Sequence, residues 1–191
     1  NSGLGISLGF SERNFIGRGQ QLTAQILATA DNINYNLGFV EPAFLGRDVA
    51  LGLDFSFQET ESDNSLFDTA IGTFRPSLTF PTGENTRLNL YYNVSYEDMT
   101  DYQGTSGILQ NEIAQGGLWT SSVGYNFSYD TRAGGLNPKA GILLSFGQEF
   151  AGLGGDNDFI KTTARLVGQT AILNEDVTIR AILEGGALNF S

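Results

Sequence analysis

Apolar and polar residues alternate one for one along most of this chain. Leu4, Ile6, Leu8 and Phe10 are interleaved with Gly5, Ser7, Gly9 and Ser11, and the pattern returns in Leu22, Ala24 and Ile26 and in Ile33, Tyr35, Leu37 and Phe39. It continues through Val49, Leu51, Leu53, Phe55 and Phe57, through Phe74, Leu78 and Phe80, and through Leu88, Leu90, Tyr92, Val94 and Tyr96. Trp119, Val123, Tyr125 and Phe127 follow, then Ile142, Leu144 and Phe146, then Ile160, Ala164 and Leu166, then Val177, Ile179, Ala181 and Leu183. Side chains two apart share one face of a strand, so this spacing predicts β-structure with one apolar and one polar face. About ten strands are expected, many longer than the usual length.

The connections alternate as well. Short, turn-rich links are predicted at 14–19, 41–48, 81–85, 131–139 and 174–176, and acidic or Gly-rich links at 30–32, 59–65, 97–117 and 151–158. Terse turns at one end and longer loops at the other are the layout of an antiparallel transmembrane β-barrel. In that layout the longer loops lie outside the cell and the short turns in the periplasm. A soluble sandwich or jelly roll also alternates. Strand length and aromatic strand ends favour the barrel, and the polar face, with Arg75, Arg87, Arg165, Arg180 and Glu184 in mid-strand, suits a water-filled interior. The apolar set Leu51, Leu53, Phe55, Leu88, Leu90, Tyr92, Val123, Tyr125, Phe127, Leu144, Leu166 and Ile179 is then expected to face lipid.

Composition narrows the chemistry. The 191 residues include no Cys and no His, which excludes disulfides, thiolate zinc sites, haem-ligating His and Cys/His catalysis. With 10 Lys and Arg against 21 Asp and Glu, the net charge of −11 argues against a nucleic-acid partner. No run of about 18 apolar residues offers a transmembrane helix. A mean hydropathy of −0.11 is what averaging a lipid face with a polar lumen face gives. No signal peptide opens the chain, so any such leader is expected to have been removed or to lie outside it.

Local motifs have mainly structural readings. Phe15-Ile16-Gly17-Arg18 returns as Phe44-Leu45-Gly46-Arg47, 44 − 15 = 29 positions on, which predicts two equivalent hairpin turns in which Gly supplies the unusual φ. Glu59, Glu61 and Asp63, and Glu97, Asp98 and Asp101, match no calcium-loop spacing and are expected in solvated loops. Residues 152–156 lack the Gly-Lys-Ser/Thr end of a phosphate loop and are expected to form a flexible surface loop. Asp130 and Arg132 could pair within a turn. Ser-Lys and paired-carboxylate schemes stay open, but nothing points to a catalytic set, and no metal or cofactor site is expected.

Glu12-Arg13-Asn14-Phe15-Ile16-Gly17-Arg18-Gly19-Gln20 resembles the turn after an early barrel strand in the BamA family of outer-membrane barrel-assembly proteins. Glu41-Pro42-Ala43-Phe44-Leu45-Gly46-Arg47-Asp48 resembles the next turn, and Ser128-Tyr129-Asp130-Thr131-Arg132 with Asn137-Pro138-Lys139-Ala140-Gly141 a later turn and strand start. The order matches along the chain. Telling BamA from its relative TamA rests mainly on the first motif. The resemblance implies an outer-membrane barrel of about sixteen strands. Residues 1–191 are then expected to be a single partial barrel domain, starting near the second strand and without POTRA domains, the Arg-Gly-Phe loop or the closing strands. The implied activity, which is not enzymatic and needs no cofactor, is folding and insertion of nascent outer-membrane β-barrel proteins by strand-edge templating and bilayer perturbation. The implied partners are outer-membrane lipids, those nascent proteins, and periplasmic accessory lipoproteins reached through POTRA domains. A passive porin-like pore and a TamA-like polypeptide-secretion barrel are the alternatives.

Overall fold

A computed structural model of the chain describes residues 4–61, 68–100, 116–132, 141–172 and 177–190, with the side chains of 171, 172, 177 and 178 left aside. The strands are β1 (Ile6–Phe15), β2 (Gln20–Ala28), β3 (Asn32–Glu41), β4 (Ala50–Thr60) and β5 (Asp68–Gly83). They continue as β6 (Thr86–Thr100), β7 (Leu118–Asp130), β8 (Gly141–Ala151), β9 (Phe159–Ile172) and β10 (Val177–Phe190). All belong to one 10-stranded antiparallel sheet in which every strand neighbours the next in the chain. Among the described residues β1 and β10 are not paired to each other, so the sheet is open.

The register carries the alternation across the whole sheet without a change of parity. One continuous row reads Leu22, Phe39, Leu53 and Pro76, and another reads Leu78, Leu90, Tyr125, Gln148, Thr162 and Ala187. Directly paired residues in antiparallel strands lie on one side, so every apolar run falls on the same face. A bulge between Glu12 and Phe15 absorbs one residue and brings Phe15 opposite Gln20, back onto the apolar side. Pairing of β5 to β6 passes from Phe74 to Ser77, skipping Arg75 and Pro76, where the proline has no N–H to give.

Two sequence expectations change. Glu59, Glu97 and Asp98, read as loop residues, lie in β4 and β6, because pairing of β4, β5 and β6 continues to Thr60, Thr69 and Met99 before the chain turns. Residues 152–158 are tied to the end of β7, which outruns β8. Gly152 N–H donates to Ser121 O at 3.2 Å, and Asp156 brackets Trp119 by donating to its carbonyl at 2.7 Å and accepting its N–H at 2.8 Å. Asn157 adds a side-chain bond to Thr120 at 2.8 Å. Asp63, Asp101, the 174–176 turn and the Asn137–Ala140 part of the third motif lie outside the described residues.

Candidate functional site

The register puts Leu51, Leu53, Phe55, Leu88, Leu90, Tyr92, Val123, Tyr125, Phe127, Leu144, Leu166 and Ile179 on the apolar face together. Many of these side chains stand open on the sheet, Leu90 at 42% exposure and Ile179 at 49%. Patches this continuous are rare on soluble monomers and mark a surface that meets another apolar phase or protein. Polar atoms within the band are bonded to one another. Tyr92 shares a hydrogen bond with Ser121, Tyr125 donates to Gln148 at 2.6 Å, and Gln148 donates to Thr162 at 3.3 Å. Unpaired, each would be costly away from water.

The opposite face carries the mid-strand charges, arranged in alternating sign across strands. Asp54 pairs in register with Arg75, Glu149 with Lys161, and Arg165 with Glu184. The Arg165–Glu184 contact is 3.8 Å and well exposed, which gives it at most about 1 kcal/mol. The better-covered cluster lies further along the sheet. Arg75 sits 3.7 Å over the Tyr91 ring, the Tyr91 hydroxyl donates to Glu149 at 3.4 Å, and Ser122 donates to Glu149 at 2.6 Å. Arg75, Tyr91, Asn126, Glu149, Lys161 and Thr163 line a cavity of about 190 Å³ on this side. Another, of about 280 Å³, runs from Thr23 on β2 to Asn93 on β6. Both cavities are lined mainly by this face, which is hydrophilic and carries charges of both signs.

Gly124 makes the cluster possible. Tyr91 reaches from β6 to Glu149 on β8 by lying across β7 at Gly124, where an added Cβ would collide with its ring. Gly124→Ala is expected to cost about 1–3 kcal/mol as an overpacked site. Urea unfolding of the intact protein checks this. The cost should shrink in a Tyr91→Ala background, and an equal cost in both backgrounds would show that Tyr91 is not the obstacle.

The motif residues gather at one end of the sheet, where the odd-numbered strands run into the even ones. The two repeats have the same geometry. Arg18 N–H donates to Phe15 O at 3.3 Å and Arg47 N–H to Phe44 O at 3.2 Å; Gly17 donates to Asn14 O and Gly46 to Ala43 O, both at 2.9 Å. Glu12 accepts the Asn14 N–H at 2.9 Å and Glu41 the Ala43 N–H at 3.1 Å, so each turn begins at its Glu. Gln20 ties the first turn to the second through Glu41 at 2.6 Å. Gly17 and Gly46 have φ of 71° and 69°, but Ile16 and Leu45 are also left-handed, at 56° and 55°. Sequence reasoning gave the unusual φ to glycine alone. A β-turn of the primed type needs it at both central positions, and that rule was the available signal.

At the same end, Arg132 clamps Asp130 through Nε at 3.0 Å and Nη2 at 2.9 Å, and its backbone N–H adds a third bond to Asp130 at 3.0 Å. The bonded carboxylate pushes the Arg132 guanidinium above its ordinary value, so the fork stays charged.

Residues 14–190 match the Omp85 superfamily domain. The chain is similar to the outer membrane protein assembly factor BamA of Neorickettsia risticii (strain Illinois), with 22% identity over 178 residues, 93% of this chain and 24% of that protein. It therefore spans about a quarter of the length of this curated relative. It also superposes on the crystal structure of BamA from Haemophilus ducreyi lacking POTRA domains 1–3. The TM-score is 0.76 at 17% identity, over 100% of this chain and 39% of the other, which is a likeness of fold.

Proposed function

The chain belongs to the Omp85 superfamily, and from that premise we propose that its strands are the wall of an outer-membrane barrel that helps nascent β-barrel proteins fold and insert. The observation that carries this is the unbroken register, with its apolar set on one face and its mid-strand charges on the other. In this reading lipid covers the face of Leu90 and Leu166, and water fills the side of Arg75 and Glu149. Substrate is recognised by strand addition at a seam edge, where a row of unpaired N–H and C=O groups templates an incoming strand. A bilayer perturbed beside the seam lowers the barrier to insertion. The short-turn end faces the periplasm, where accessory proteins would meet it.

The polar wall favours a second reading, a passive pore or a polypeptide-secretion barrel, since both need a hydrophilic path. Reconstitution separates them. Vesicles holding the intact protein should speed the folding of a urea-denatured outer-membrane barrel protein, scored by protease protection. A passive pore would leak small solutes and leave the folding rate that of empty vesicles.

A further inference from the structure

We propose that the paired turns at Phe15–Arg18 and Phe44–Arg47 are a lipid anchor, with Ile16 and Leu45 seated in the headgroup layer of the adjoining leaflet and Arg18 and Arg47 on phospholipid phosphates. This rests on the reading of the sheet as a membrane wall. Ile16 and Leu45 are 74% and 80% exposed at the very tips. Both hold the left-handed backbone, a genuine outlier for β-branched Ile16, at positions where Asn or Gly fits better. The turn itself does not need these side chains, and two turns of one geometry carry them.

Reach says what they meet. β1 to β4 are 9 to 11 residues long, about the length that crosses hydrocarbon. On the apolar face of β1, Leu8 and Phe10 are followed by Glu12 and, past the bulge, by Phe15, and the Ile16 tip comes next. The β5–β6 hairpin gives the contrast. Its last apolar side chain on that face of β5 is Phe80, opposite Leu88, and its tip, four residues on, is the polar pair Glu84-Asn85. The aliphatic Ile16 tip therefore follows directly on the apolar band, and the polar Glu84-Asn85 tip stands further from it. An exposed guanidinium beside each aliphatic tip matches the phosphate at that depth, as snorkelling cations do.

Depth measurement on the intact protein tests this. Ile16→Trp, Leu45→Trp, Glu84→Trp and Leu90→Trp are each reconstituted in phosphatidylethanolamine–phosphatidylglycerol vesicles and read as difference emission against the unsubstituted protein. Ile16→Trp and Leu45→Trp should lose most of their emission to lipids brominated near the top of the acyl chain. Glu84→Trp should lose its emission to aqueous iodide instead. If iodide quenches Ile16→Trp and Leu45→Trp while brominated lipid still quenches Leu90→Trp, the anchor is wrong and the membrane wall stands. Protection of both tips from both quenchers means a protein covers them and also overturns the anchor. A Leu90→Trp that lipid does not quench removes the membrane reading and the anchor with it. If Trp at a tip blocks folding, a nitroxide on Ile16→Cys or Leu45→Cys reports the same depth through oxygen against nickel-chelate accessibility.

Discussion

A disulfide tying the first strand of the intact barrel to its last should stop assembly of outer-membrane proteins in depleted cells, and reductant should restore it. The expected effect is all or none. A closed barrel satisfies every backbone group within its wall, so a locked one offers an incoming strand nothing to pair with. Strand addition needs a seam that opens, and opening exposes backbone groups that cost several kcal/mol each in hydrocarbon. Among the described strands β2 to β9 are paired on both sides and are therefore wall, while β1 and β10 each keep one edge without a partner. The readout is the amount of folded outer-membrane protein in locked cells before and after reduction. Normal assembly in locked, unreduced cells would reject the seam-dependent mechanism, since a passive pore tolerates the lock.

Leu90→Arg in the intact protein should destabilise the barrel by about 2–4 kcal/mol, as a cation on the lipid face near mid-bilayer does. Leu90 lies within the apolar run from Leu88 to Tyr96 and pairs with Leu78 on one side and Tyr125 on the other, so no neighbour can answer the charge. Asn89→Arg, one residue away, turns to the opposite, polar face. It forfeits the 2.8 Å bond from Asn89 to Thr79, worth about 1 kcal/mol, and places its charge among polar side chains. Reversible unfolding from vesicles measures both. Equal losses would mean that the two faces do not meet different solvents.

Most of the fold was legible in the chain because a period of two fixes facing as well as strand type. Leu51, Leu88 and Ile179 could be put on one side before any pairing was known. Strand ends were less legible. Glu97 and Asp98 have loop-like chemistry, and pairing with Ile71, Ala70 and Leu118 holds them in β6. The turns were half legible. The repeated Phe-x-Gly-Arg announced two like turns, but the left-handed Ile16 and Leu45 contradict their own backbone preference, and only the turn rule pointed to them. The Arg75–Tyr91–Glu149 cluster was hidden because it joins β5, β6 and β8 across a glycine, and no spacing along the chain encodes that distance.

The neighbour-to-neighbour strand order also sets how the wall can be made. Each pairing from β1–β2 to β9–β10 joins segments adjacent in the chain, so each closes only one short connection. Closure entropy grows slowly with connection length, by about 0.6 kcal/mol per doubling, so even the connection between β6 and β7 adds little. Hairpins can therefore zip up one after another, in the order in which they are synthesised, without waiting for a distant partner. Joining the first strand of a barrel to its last is the one long-range pairing. The kinetic bottleneck thus falls on the seam, the place where a folding helper has something to offer.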